Sequence, residues 1–376
     1  MCLPPLAVEL IPIPKDSGKN EIMSVDQFRG ITISPVISKL FEHCTLIMYR
    51  KHFKSSERQF GFKSKLSCAH AIYAVRKVTE YFVSNDSTVN LCCLDISKAF
   101  DRVNCNRLFF KLINMGVPIN FILLLRNWYS NTSSCVRWGD TLSDFFPVNH
   151  GVRQGGVLSG TLFTIYVDNI LNKLNYYGCN MSGLCLGSFM YADDLILLAP
   201  SVAELQIMLD ICTRELNDID LRLNVSKSSC IRIGKRCHAE CRHIVTADGF
   251  IPWSSTVKYL GINIVAGMKF TCSMDNLKAN FYSSFNAIYC KLGMFNNLVV
   301  TLHLISTIAL PCLTYAQEAL SLTKTYLKSL ERPWSRVFMK LFTTFNDDII
   351  HQCQYFTDCM PLEHTVFLKK FNFLMH

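Results

Sequence analysis

The sequence predicts an α+β fold, an antiparallel sheet covered by helices and followed by an all-helical C-terminal part. Three observations carry this. Val89 to Ile96 is a short, almost continuously apolar run closing on an acidic residue, the pattern of a buried strand that presents a carboxylate at its end. Phe189 to Leu198 repeats the pattern around Ala192-Asp193-Asp194, and its β-rich flanks read as a hairpin whose turn carries the acids. From about Gly267 onward strand signals disappear and helical periodicity takes over.

Taken in order, Ser34-Pro35 opens an amphipathic helix on which Val36, Ile37, Leu40, Phe41, Cys44 and Met48 recur at helical spacing. That face is expected to pack and the other, basic, face to meet solvent. After Gln59-Phe60-Gly61-Phe62, a second helix is marked by Ala71, Val75, Val78 and Phe82, with Lys65, Arg76 and Lys77 off its apolar stripe. Phe121 to Trp128 and Leu162 to Leu174 read as helices between the two acidic segments. Leu205, Met208, Leu209, Cys212, Leu216 and Ile219 form a further helical stripe, followed by the strand-like Cys230 to Ile233 and Val257 to Ile264.

Half of the 376 residues are apolar, enough for two or three packed subdomains, which excludes global disorder. The net charge of +9 is unevenly placed: between Lys39 and Lys77 nine Lys or Arg face only Glu42 and Glu57, a distribution that suits a polyanion or a solvated helix face. The 18 cysteines are scattered, often at apolar positions such as Cys92, Cys93 and Cys212, and read as reduced, buried thiols. Cys237, His238, Cys241 and His243 have the chemistry to bind zinc, yet their irregular spacing lacks paired CxxC units, and an exposed loop between strands is the competing reading. The first fifteen residues carry no basic leader, and no targeting address is evident. The uncharged run between Lys291 and Glu318 is long enough for a bilayer, but Asn296, Asn297, Thr301, His303, Ser306 and Pro311 interrupt it, so a buried helical hairpin is expected.

Asp95, Asp193 and Asp194 are three carboxylates set in apolar sequence, where unpaired negative charge is costly, so a cation is expected between them. Oxygen ligands suit magnesium, and a pair of such ions would serve in-line phosphoryl transfer to a 3′-hydroxyl. In isolation, an Asp pair in a turn reads equally as a solvated turn-former.

The surroundings of these acids add a family resemblance. Phe189-Met190-Tyr191-Ala192-Asp193-Asp194-Leu195 resembles the YxDD signature of reverse transcriptases, and Leu94-Asp95-Ile96-Ser97-Lys98-Ala99-Phe100-Asp101 resembles their first metal-binding motif. Gly151-Val152-Arg153-Gln154-Gly155-Gly156-Val157-Leu158-Ser159 is similar to the family's nucleotide-side loop, in wording characteristic of LINE-type (non-LTR) retrotransposons. Phe28-Arg29-Gly30-Ile31, Gln59-Phe60-Gly61-Phe62 and Tyr259-Leu260-Gly261 extend the resemblance over most of the chain.

The resemblance implies an RNA-directed DNA polymerase with a right-hand fold: fingers in 1–88, a palm with an interleaved fingers segment and primer-grip hairpin in 89–264, and a helical thumb with C-terminal extension in 265–376. It implies that Asp95, Asp193, Asp194 and the main-chain carbonyl of Ile96 hold two magnesium ions, with manganese as a substitute. Phe100 matches the steric gate under the sugar, Lys15 and Arg29 the triphosphate clamp, and Gln154 and Gly155 the loop against nucleotide and template. Lys227 matches a lysine that protonates departing pyrophosphate, and Tyr259, Leu260 and Gly261 match the primer grip. Without the motifs, Phe100 reads as a core ring, Lys227 as an exposed lysine in a polar turn, the Gly-rich segment as a connector and Tyr259-Gly261 as part of a strand. RNA template, DNA primer and deoxynucleoside triphosphates are the implied partners, with no membrane or stable protein partner inferred, in cytoplasm and nucleus.

Two departures stand out: Gly30 and Gly160 occupy positions where the family commonly has Pro. With no endonuclease-like region and no cysteine-histidine knuckle, the expectation is a truncated reading frame or isolated polymerase segment. Its rivals are a catalytically inactive nucleic-acid-binding remnant or domesticated element, and an RNA-dependent RNA polymerase, against which Phe100 argues.

Overall fold

A computed structural model describes residues 6–15, 24–292 and 297–375. In chain order, β1 (Leu6–Pro14) and β2 (Phe28–Ile33) pair as an antiparallel hairpin, followed by α1 (Val36–Tyr49) and α2 (Cys68–Ser84). Next come β3 (Val89–Leu94), α3 (Cys105–Asn114), α4 (Ile119–Ser130) and β4 (Thr132–Trp138), with β5 (Thr141–Leu142) and β6 (Phe146–Pro147) returning along β4. α5 (Ser159–Val167), α6 (Asn169–Lys173) and the small hairpin β7 (Asn180–Met181) and β8 (Leu184–Cys185) lead to β9 (Ser188–Tyr191), β10 (Asp194–Ala199) and α7 (Val202–Asp218). β11 (Ser229–Ile233), the hairpin β12 (Ile244–Thr246) and β13 (Gly249–Ile251), and the ladder β14 (Thr256–Tyr259), β15 (Ile262–Val265) and β16 (Thr271–Ser273) complete the strands. The helices α8 (Asp275–Leu292), α9 (Leu298–Leu304), α10 (Leu310–Leu313), α11 (Lys324–Phe342), α12 (Asp347–Phe356) and α13 (Leu362–Met375) follow.

Two compact units result, the first from residues 1–66, 90–230 and 240–253, the second from 67–89, 231–239 and 254–376. In the first, β1 lies between antiparallel β2 and parallel β4, and in a second sheet β10 lies between β3 and β9, antiparallel to both. Cys92, Leu94 and Ile96 from β3 and its exit, with Leu195, Leu197 and Ala199 of β10, alternate into one core with Leu112, Leu125, Phe163 and Met208 from the helices. Cys93, Ile196 and Leu198 on the opposite face are buried as well, which is why these strands read as continuous apolar runs. In the second unit, Trp334, Val337 and Phe338 of α11 and Leu362 and Val366 of α13 are buried, and the Trp334 indole N–H donates to the Met360 carbonyl at 3.1 Å.

Several expectations are corrected. α1 forms where expected, but the residues it buries are polar, Ser38, Glu42 and Thr45, whereas Val36 and Ile37 are 81% exposed and Leu40 and Met48 are also exposed; of the expected apolar face Phe41 packs, against the Trp128 ring at 4.2 Å. The reason is a partner for Glu42, described below. On α2 the supposedly solvated Arg76 is buried, its guanidinium 3.5 Å from Glu80 and over the Tyr73 ring. The helix expected over Leu162 to Leu174 is broken at Asp168, whose carboxylate accepts the Ser56 N–H at 2.7 Å. β16 lies beyond the point where strands were expected to stop.

Leu298–Ala319 is long and apolar enough to cross a membrane by length and composition, with 33% of its most apolar window buried. Instead of a helical hairpin it is one interrupted run, with a π-helical turn at Ile305–Ala309 and a left-handed Ala316. Every described cysteine is a free thiol. Burial pushes the Cys93 and Cys212 thiols up, and a hydrogen bond with Cys230 does the same for Cys92. Gly160, where Pro was the usual residue, is explained by crowding: an added Cβ would lie 2.2 Å from the Phe62 ring. Nothing comparable crowds Gly30.

Candidate active site

The acids meet through strand register. Leu94 of β3 pairs with Leu195 of β10, so Asp95, the next residue on one antiparallel strand, and Asp194, the preceding residue on the other, come side by side at the same end of the sheet. Asp194 in turn pairs with Tyr191 across a turn of Ala192 and Asp193, with Ala192 left-handed at φ 57°. Burial holds the Asp193 carboxyl above the usual carboxylate range and the charge of Asp95 adds to this, opposed by its own backbone N–H and by the Arg29 guanidinium. Asp193, Asp95 and Arg29 therefore share one field.

The main chain around Asp95 is fixed from the other side. Its carbonyl accepts the Asn224 N–H at 2.8 Å, its N–H donates to the Ser228 hydroxyl at 3.2 Å, and the Ser97 N–H donates to the Arg222 carbonyl. Ile96 and Leu223 face each other as a bridge pair within this pattern. In such a pair the groups of Ile96 itself point away from Leu223, so its carbonyl turns toward the β10 side, where the acids are. Lys227 is exposed on the short 3₁₀ turn Val225–Lys227 of the same strap.

A wholly buried glutamine, Gln59 of the Gln59-Phe60-Gly61-Phe62 motif, holds the acidic turn, a role the motif alone did not assign to it. Gln59 Oε1 accepts the N–H groups of Ala192 at 3.0 Å and Gly61 at 2.9 Å, while its amide nitrogen approaches the Ala192 carbonyl at 3.4 Å. The Phe60 N–H donates to the Met190 carbonyl and the Met190 N–H to the Arg58 carbonyl, which lays the segment along β9. Gly61 must be glycine, because a Cβ there would lie 2.4 Å from the Ala192 nitrogen. Arg58 reaches the Ser188 hydroxyl at 2.8 Å and also contacts the Leu171 carbonyl and Asn175. The only sequence signal for this buttress is a polar residue opening an aromatic-glycine segment.

Phe100 follows Asp95 and stacks on Phe163 at 4.6 Å and 15°, with Phe62 edge-on at 6.0 Å. Its carbonyl accepts the Val152 N–H at 2.8 Å, and the Gln154 amide donates to the Asp101 carboxylate at 3.2 Å. The glutamine loop is thus tied to the segment leaving Asp95. Gly155 has φ 117° and packs on β2, where a Cβ would meet the Thr32 carbonyl at 2.7 Å. On the β1–β2 hairpin, Arg29 pairs with Ile13 and the Lys15 N–H donates to the Gln27 carbonyl, which sets the Lys15 and Arg29 side chains on one face as diagonal neighbours. A cleft of about 500 Å³ on that hairpin, lined by Pro12, Phe28 and Trp138, contains none of the acids.

In the second unit, Tyr259-Leu260-Gly261 forms the tight turn between β14 and β15, with Leu260 at φ 42° and Gly261 at φ 82°. The Tyr315 hydroxyl donates to the Leu260 carbonyl at 2.9 Å, and its ring lies 3.0 Å from where a Gly261 side chain would begin.

Among the described residues no set of three or more His, Cys, Asp or Glu side chains is gathered closely enough to hold a metal ion by itself, and this covers both the acids and the Cys237–His243 segment. The acids nonetheless fit a magnesium site in donor chemistry: all are hard oxygens, and the partly buried Asp193 lies in the negative field of Asp95, which a bound cation would relieve. Magnesium is held through one or two carboxylates together with substrate phosphates and water, so an all-protein cage is not required.

A family model described as reverse transcriptase (RNA-dependent DNA polymerase) matches residues 13–264, well over half the chain, and includes Asp95, Asp193 and Asp194. The chain belongs to the reverse transcriptase family. This reverse transcriptase domain is 27% identical over 256 residues to the retrovirus-related Pol polyprotein of the type-2 retrotransposable element R2DM of Drosophila melanogaster, covering 65% of the chain and 24% of that protein. It is 22% identical over 319 residues to the RNA-directed DNA polymerase from the mobile element jockey of the same species, covering 81% and 34%. The chain thus spans about a quarter to a third of these relatives. A solved telomerase from Candida albicans, in complex with a fragment of telomeric RNA, aligns with TM-score 0.51 at 12% identity over 94% of this chain and 65% of that one, a likeness of fold. The expected resemblance to non-LTR retrotransposon enzymes and the right-hand α+β fold are both borne out.

Proposed function

We propose that this domain copies RNA into DNA, adding deoxynucleotides to a primer 3′-hydroxyl on an RNA template. The observation that carries the reading is the register that puts Asp95 beside Asp194, with the partly buried Asp193 in the field of Asp95. Two magnesium ions, replaceable by manganese, are the proposed occupants; bound by Asp95, Asp193, Asp194 and the Ile96 carbonyl, they would supply the positive charge that in-line phosphoryl transfer requires.

The chain's own residues supply position. Lys15 and Arg29, on one face of the hairpin, hold the triphosphate; a planar guanidinium and a flexible ammonium suit phosphate oxygens. Phe100, stacked on Phe163 with Phe62 edge-on, presents a ring that would clash with a ribose 2′-hydroxyl, so it selects deoxyribose. Gln154 and Gly155 bound the nucleotide from the loop, Lys227 delivers a proton to leaving pyrophosphate, and the Tyr259–Gly261 turn holds the primer end. Fingers, palm and thumb, with the boundaries given from sequence, belong to this proposal, as do the DNA primer and residence in cytoplasm and nucleus. RNA binding is supported by the family and is expected to be salt-sensitive and largely independent of sequence.

Primer extension on an RNA template with magnesium tests the reading. Asp193→Asn should abolish extension, and undiminished extension would overturn the assignment. Phe100→Val should admit ribonucleotides that the parent rejects. A protein that binds primer–template tightly yet incorporates nothing with either metal would make the non-catalytic remnant the better account.

A further inference from the structure

The polar face of α1 is buried because Glu42 clasps both ends of one loop. Its Oε2 accepts the Leu158 N–H at 2.9 Å, and its Oε1 lies 3.7 Å from the Arg153 guanidinium. Both side chains are more than nine-tenths buried. Arg153 is further held by a 3.0 Å hydrogen bond to the Thr132 hydroxyl and by lying over the Trp128 ring. Between these anchors run Gln154 and Gly155, and the Thr32 N–H donates to the Gln154 carbonyl at 2.7 Å. A side chain at Gly156 would crowd the same carboxylate, at 3.3 Å. One carboxylate on a helix far upstream in sequence therefore fixes the span and height of the loop that carries Gln154 and Gly155.

We propose that Glu42, acting through Arg153 and the Leu158 amide, is the positioning residue for the nucleotide-facing loop and sets how tightly an incoming deoxynucleotide is held. The inference rests on the reading of Gln154 and Gly155 as nucleotide-binding. Because Glu42 is buried behind the loop, its loss should weaken nucleotide capture and leave the acids and their chemistry in place. Losing one charge-assisted hydrogen bond at such a site corresponds to roughly a 10- to 100-fold weaker interaction.

The experiment compares the parent with Glu42→Gln, which keeps one acceptor but loses the charge, and with Glu42→Ala, in the full chain. Two readouts are taken: hydrogen exchange of the Gly156 and Leu158 amides with and without dTTP, and single-nucleotide addition on a primer–RNA template. The expected result is faster exchange and a rise in apparent KM for dTTP of roughly tenfold in Glu42→Gln and more in Glu42→Ala, with kcat within about threefold of the parent. Faster exchange with an unchanged KM, or a fall in kcat alone, would overturn the proposal, as would unaltered exchange. If the parent extends no primer, the polymerase reading fails, and the clasp is judged by dTTP alone: protection of the loop amides in the parent but not in Glu42→Gln supports it, and equal protection or none overturns it.

Discussion

Gln59→Leu should destabilise the protein and disable the acidic turn together. The substitution nearly conserves volume, so little cavity is created. It removes the acceptor for two buried N–H groups, those of Ala192 and Gly61. Each orphaned donor costs about 1–3 kcal/mol, giving roughly 2–6 kcal/mol in all, before relaxation. Ala192 is held left-handed, a conformation that costs an L-residue about 1–2 kcal/mol and persists only under outside constraint. Released from Gln59, the turn should relax and carry Asp193 with it, and a displacement on the order of 1 Å lowers turnover about 100-fold. Urea unfolding followed by far-UV circular dichroism reads the first effect, and single-nucleotide addition reads the second. A variant within about 0.5 kcal/mol of the parent and with unchanged kcat would refute the reasoning, since surface substitutions move stability by that much.

Gly160→Ala should lose about 1–3 kcal/mol through the collision with Phe62, and Phe62→Ala in the same chain should recover most of it, as thermal melts of the two variants and their combination will reveal. Lys111, partly buried with its ammonium 3.1 Å from the Tyr166 carbonyl, is depressed by burial from 10.5 to about 8. Folding thus disfavours its charged form: stability is lowest below pH 8 and rises as pH climbs from about 8 to 10.5, by up to about 3 kcal/mol. Lys111→Met should therefore be the more stable protein at pH 7 and lose that advantage near pH 10.5, and equal pH profiles would count against it. Asp193 is raised by burial and by Asp95, so its folded state favours the protonated form, a preference lost as pH rises through its raised value. Magnesium should accordingly raise the melting temperature at pH 8, an effect that shrinks as falling pH protonates Asp193, and Asp193→Asn should remove the pH-8 response.

The acids were legible in the sequence because β3 and β10 are buried on both faces, which leaves Asp95, Asp193 and Asp194 as conspicuous interruptions. The helices were legible from periodicity, but not always the face they bury. On α1 most of the periodic apolar residues, Phe41 excepted, point outward, because the decisive contact is a single carboxylate whose partner, Arg153, lies in a distant loop. Arg76 misleads in the same way: a charge reads as solvated until Tyr73 and Glu80 are found around it. Gln59 carried least warning, since its role is a set of hydrogen bonds to main-chain groups, and no side-chain pattern announces those.

The pairing of Leu94 with Leu195 gives the domain an uneven tolerance to change in length. Extra residues at the Ser182-Gly183 tip, exposed and open around the glycine, would leave the strand alignment untouched, so that tip can drift in size among descendants of this chain. Deleting one residue inside β10 would instead either turn every following side chain to the opposite face or, if those keep the core, draw Asp194 out of register with Asp95. Inherited length variation should therefore collect at the hairpin tip and be purged from the few residues of the strand.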